Sequence, residues 1–155
     1  MSLFLFAGVV TAQDDMPEKP KKTGNAKVDG YVDEAFAMID KKNALAKELA
    51  DLKSITDTAG VASTSKEDAQ AIMKRVETLE TDYENYAAEA EKMQAKGETA
   101  SKATADCGLK APKCAKAVKN STKAVVMSTK SAAADAKMAA GVRAKAEALV
   151  QATDL

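Results

Sequence analysis

From Ala69 to Cys107, small or apolar residues recur at alternating intervals of three and four without a break: Ala69, Ile72, Val76, Leu79, Tyr83, Tyr86, Ala90, Met93, Gly97, Ala100, Thr104 and Cys107. This spacing puts all of them on one stripe of a single helix, the pattern of a coiled-coil seam. A helix carrying it runs about 60 Å at 1.5 Å per residue. That is longer than a compact domain built from a chain of 155 residues is wide. The chain is therefore predicted to be all-α and rod-shaped: an elongated three-helix antiparallel bundle whose second and third helices form a long hairpin.

The interior this chain can build is thin. Hydrophobic residues make up 46% of it, much of that alanine, while aromatics are 4% and tryptophan is absent. Such an inventory suits elongated helix pairing better than a globule with a deep core.

Three helices are readable, over about residues 28–58, 65–106 and 112–152, within one domain spanning 28–155. The first carries Val28, Tyr31, Ala35, Met38, Lys42, Leu45, Leu49 and Leu52 on its seam, flanked by Val32, Phe36, Ile39 and Ile55. A stripe this wide predicts contact with two neighbours rather than one. Gly60 is expected to give a left-handed exit, and Val61 to Thr64 a short connection. Ser65, with Asp68 three residues on, marks the next helix start. Gly108 and Pro112 break the chain before the third helix.

The third helix keeps the same spacing through Cys114, Val118, Ser121, Val125, Ser128, Ala132, Asp135, Ala139, Val142, Ala146 and Leu149. Asp135 is the misfit. The expectation is that the seam slips there by one position and Ala136 takes the core place. Tyr31, Tyr83 and Tyr86 are expected to fill the core with their hydroxyls reaching the bundle edge.

Charge favours pairing of all three helices. Residues 28–58 carry four Lys against seven acids, 65–107 six bases against ten acids, and 112–155 eight bases against three acids, or −3, −4 and +5. A basic third helix is expected to lie against two acidic ones. The acidic side chains of the second helix, among them Glu77, Glu84 and Glu91, read as a solvated or Lys-paired face. Because the first helix is shorter than the other two, the far part of the hairpin is expected to project as a two-helix arm.

The tip of that arm holds the strongest residue-level prediction. Cys107 and Cys114 flank Gly108 to Lys113, and the forced turn brings them together where a continuous helix would hold them apart. A disulfide there is expected to add about 2.5 kcal/mol by loop-closure entropy. A redox pair would call for C-x-x-C beside a strand-helix unit, which the sequence lacks.

Chemistry is otherwise hard to place. The chain has no histidine, which removes the usual triads, His-ligated zinc and His-ligated haem. No cofactor or metal motif is present, and no acid-base pair with an orienting partner can be named. The expectation is a protein that is not an enzyme. Charged residues balance to zero overall, which argues against nucleic acid as partner.

The first twelve residues resemble the apolar core of a secretory signal, with Val10-Thr11-Ala12 at the expected cleavage site. They are too short for a transmembrane anchor. Residues 13–27, with Pro17, Pro20 and Gly24, read as a flexible linker. The sequence as a whole suggests a secreted or periplasmic structural or interaction protein. It would bind a protein partner, or a second copy, through the arm at Ala95, Gly97, Ala100, Leu109, Lys110, Val118 and Val125. The alternative is a carrier whose stripe of Val32, Phe36, Ile39 and Leu45 opens to a lipid-like ligand.

Overall fold

Helix caps and two reversals divide the chain into three long rods. A computed structural model describes residues 16–60 and 63–154. The signal-like segment and part of the first interhelical connection lie outside the described residues. Helix α1 spans Ala26–Thr58, α2 spans Lys66–Ala103, a 3-10 stretch covers Thr104–Lys110, and α3 spans Ala111–Thr153. No strand occurs among the described residues. At 1.5 Å per residue, α3 alone is about 64 Å long.

Helices α1 and α2 begin where a side chain takes up free backbone N–H groups, and α3 begins at a proline instead. The Asn25 carboxamide oxygen accepts from the N–H groups of Lys27 and Val28 at 3.0 and 3.2 Å. The Ser65 hydroxyl accepts from the Asp68 N–H at 3.1 Å and donates to the Asp68 carboxylate at 2.8 Å, so the carboxylate meets the capping hydroxyl rather than the Ser65 N–H that a capping box would engage. Pro112 occupies the first turn of α3, where its missing N–H costs nothing. The expected left-handed exit at Gly60 is not used. Instead, Ala59 turns to extended backbone (φ −65°, ψ 116°) while its N–H closes the last turn on the Ile55 carbonyl.

Reversal between α2 and α3 depends on Gly108, whose φ of 54° lies in the left-handed region. Cys107 and Cys114 are disulfide-bonded across it with their Cα atoms 6.6 Å apart. The second glycine that matters is Gly97. A Cβ there would lie 2.8 Å from the Tyr31 hydroxyl oxygen and 3.3 Å from Thr122 Oγ1, so its bare backbone lets α1 and α3 close over α2.

The predicted seams of α2, as far as Ala100, and of α3 form the core with that of α1, whereas Thr104 and Cys107, the last predicted seam positions of α2, lie in the 3-10 stretch and are not buried. Every seam position of α3 from Cys114 to Leu149 is buried, Asp135 included. The expected slip to Ala136 does not occur, because Asp135 meets an opposite charge on α1. Helix α1 packs on both others, as its wide stripe implies.

Two expectations are corrected at the disulfide end. The linker is not free over its described part. Thr23 is buried, its N–H and hydroxyl donate to Asp29 Oδ1 at 2.7 and 2.8 Å, and the Gly24 N–H donates to Oδ2 at 3.0 Å. Lys113 Nζ donates to the Lys22 carbonyl at 2.7 Å, and Lys19 pairs with Asp33 at 2.8 Å. Residues 16–25 thus form a strap that carries the cover of α1 to the end of the hairpin. In consequence no bare two-helix arm projects.

Asp29 anchors this strap. Burial pushes its carboxyl up, but the hydrogen bonds from Thr23 and Gly24 outweigh that and hold it below the ordinary carboxylate range. A carboxyl depressed in the folded state stabilises the structure above its unfolded pKa, and that contribution fades as pH falls through the folded value. The protection factors at Thr23 and Gly24, taken against the intrinsic exchange rate at each pH, are therefore expected to be high at neutral pH and to fall on acidification. Asp29→Ala should give low protection at both pH values; high protection in that variant would contradict the anchor.

Candidate interaction surface and polar core

The disulfide-closed turn presents the most exposed large apolar side chain of the described residues. Leu109 stands fully in solvent, at 105% of its reference exposure. The 3-10 stretch that carries it buries none of its residues. A single exposed leucine is ordinary in itself; what sets this one apart is the crosslink that fixes the turn presenting it. Around it the charge is one-sided: Lys102, Lys110, Lys113, Lys116 and Lys119 stand against Asp106 alone between residues 102 and 119. Overall neutrality conceals this basic end.

The predicted partner-binding residues divide accordingly. Leu109, Lys110 and Ala95 are exposed, whereas Gly97, Ala100, Val118 and Val125 lie inside the bundle. Their small side chains serve close helix packing under α1. Any partner surface is consequently confined to the turn and to the outer faces.

Inside, α3 receives all three tyrosines. Tyr31 from α1 shares a hydrogen bond with Thr122 at 2.9 Å, and Tyr86 from α2 shares one with Ser128 at 2.6 Å. The Tyr86–Ser128 bond is buried inside the bundle, whereas the Tyr31–Thr122 bond is only partly buried. Tyr83 turns its hydroxyl toward Asp135 but makes no hydrogen bond of acceptable geometry among the described residues. Burial, then the Asp135 charge, push the Tyr83 phenol far above its ordinary range.

Asp135 is held from the other side by Lys42. Its Oδ2 lies 3.1 Å from Lys42 Nζ, and each side chain keeps only 12% of its exposure. The contact is at ion-pair distance but off the hydrogen-bonding angle, so charge attraction holds it rather than a directed hydrogen bond. Sequence reasoning placed both residues on seams and missed that they meet. Two misfits of opposite sign on the seams of different helices were the available signal.

The stripe proposed for a carrier is consumed by packing. Val32, Ile39 and Leu45 are buried and Phe36 is partly so. An open groove of about 490 Å³ remains between α1 and α2, floored by Ala44, Leu45 and Leu79. Beside it Arg75 pairs with Glu48 at 2.9 Å and Asp51 at 2.6 Å.

Among the described residues, no group of three or more Cys, Asp or Glu side chains is arranged to hold a metal, and no helix is long and apolar enough to cross a membrane. Compared with protein-family models, with curated proteins and with solved structures, the chain matches none.

Proposed function

We propose that the chain is a non-catalytic structural and interaction protein of an exported, envelope or extracellular assembly, and that it docks a protein partner with the disulfide-closed end of its helical rod. The observation that carries this reading is the fully exposed Leu109 on a covalently locked turn among lysines. Preorganisation removes the ordering cost that a mobile loop would pay on binding. An apolar knob in a basic surround fits an acidic protein surface with an apolar depression. A disulfide accords with an oxidising compartment and so supports export, as does the apolar start of the sequence.

A photo-crosslinking residue at position 109, introduced in cells that make the protein, tests this. A discrete crosslinked partner is expected from position 109 and none from the exposed Ala50 on α1. Identical patterns at the two positions, or no crosslink from 109, would overturn the reading. The carrier alternative has the α1–α2 groove in its favour. Retention of an apolar ligand in native mass spectrometry would promote it.

A further inference from the structure

Two rows of charge face outward from the bundle. On α2, Glu77, Glu84, Glu91 and Glu98 recur every seven residues and all are exposed. On α3, Lys116, Lys123, Lys130 and Lys137 do the same. None of the eight enters an ion pair among the described residues, because the α3 bases that reach the other helices are Arg143, to Glu80, and Lys145, to Asp57. The charge surplus of α3 expected to be neutralised inside the bundle is thus mostly displayed outside it.

The rows match in more than sign. Four residues after each of the first three glutamates stand Thr81, Ala88 and Ala95, and four after the lysines stand Asn120, Met127, Ala134 and Gly141. Both faces therefore alternate a charge with a neutral, mostly short residue at the same 4-3 spacing. Successive charges are about 10.5 Å apart, and each row is about 32 Å long. The lysine row lies opposite the α3 seam, and the glutamate row lies about 130° round from the α2 seam at 100° per residue, on the flank of Glu80; both face solvent. They also occupy the same stretch of the rod, since Gly97 abuts Thr122 at one end and Glu80 pairs with Arg143 at the other.

We propose that the two rows bind each other between molecules: the glutamate row of one copy lies along the lysine row of a second copy. Equal periods let all four charge pairs register together, which a partner of another period could not offer. An anionic polymer would engage the lysines and leave the matching glutamate row unexplained. Copies repeated sideways bring α2 of one antiparallel to α3 of the next, the sense these helices already have within the bundle. Zero net charge removes the long-range repulsion between copies. The two patches differ, so the contact is heterologous and propagates from copy to copy, as a ring or an open array, rather than closing as a two-fold dimer. Single exposed pairs contribute little, so the contact rests on the summed row and is sensitive to salt. This inference shares with the proposed function the view that the protein acts by association, but it does not depend on the turn at Leu109.

Sedimentation velocity of the full chain tests it. Wild type is expected to self-associate in a concentration-dependent manner at low ionic strength and to become monomeric at ~0.5 M salt, where the screening length falls to a few ångströms. The variant K116E/K123E/K130E/K137E and the variant E77K/E84K/E91K/E98K should each self-associate at least tenfold more weakly and associate again when mixed in equal amounts. A control with the same net charge but reversals off the lysine row, K27E/K47E/K74E/K92E, should keep most of the wild-type association. Leu109→Asp should keep it too, which separates this contact from docking at the turn. A monomeric wild type at low salt, association indifferent to salt, or equal losses in the row and control variants would overturn the proposal. The salt series on wild type decides the matter even if a variant fails to fold.

Discussion

Replacing Lys42 with methionine is expected to cost about 3–5 kcal/mol of folding stability, because it leaves the Asp135 carboxylate buried without a countercharge. A domain of this size is held by roughly 5–15 kcal/mol in total, so the loss should appear as a large drop in the urea midpoint. The double variant, Lys42→Met with Asp135→Leu, is expected to recover to within about 1 kcal/mol of wild type or to exceed it, since a well-packed apolar pair avoids the desolvation of two charges. The asymmetry between single and double variants is the signature of an ion pair that selects an arrangement more than it stabilises one. With alanine and serine along much of the α3 seam, apolar packing distinguishes one helix register from another only weakly. A lysine on α1 that must find an aspartate on α3 distinguishes them strongly. If the single variant proves as stable as wild type, the pair is not buried in solution and this account of how α1 is seated fails.

Removal of the crosslink by Cys107→Ser with Cys114→Ser is expected to cost about 2.5 kcal/mol, the chain-entropy value for so short a loop. The loss should be local first. Amide exchange should rise in the last turns of α2 and the first turns of α3 well before it rises near Tyr86 and Ser128. Leu109 should then lose its fixed presentation, and any crosslink from that position should weaken along with the disulfide. Unchanged exchange at the turn would mean that the strap and the first turn of α1 hold it without help from sulfur.

Much of the fold was legible because it rests on periodicity. The seam from Ala69 to Ala100 is buried as its spacing implies, and Gly108 and Pro112 stand at the reversal that lets the two cysteines meet. What the sequence concealed depends on meetings between distant segments. Nothing local to residues 16–25 says that Thr23 will be buried, since the Asp29 that captures it acts only once α1 has formed. For the same reason Asp135 read as a flaw in its own helix until Lys42 arrived from another. The Tyr83 and Tyr86 hydroxyls were misplaced because a single helix does not reveal that Asp135 and Ser128 lie opposite. The outward rows were not legible from charge alone, because they appear only when exposure is known position by position.

The extended bundle underlies each of these expectations, and small-angle X-ray scattering tests it most directly. At ~0.5 M salt, where the charge rows are screened, a rod the length of α3 predicts a radius of gyration of about 20 Å and a maximum dimension near the helix length of about 64 Å plus its end groups. A radius of about 15 Å, the value for a compact domain of the same number of residues, would contradict the account.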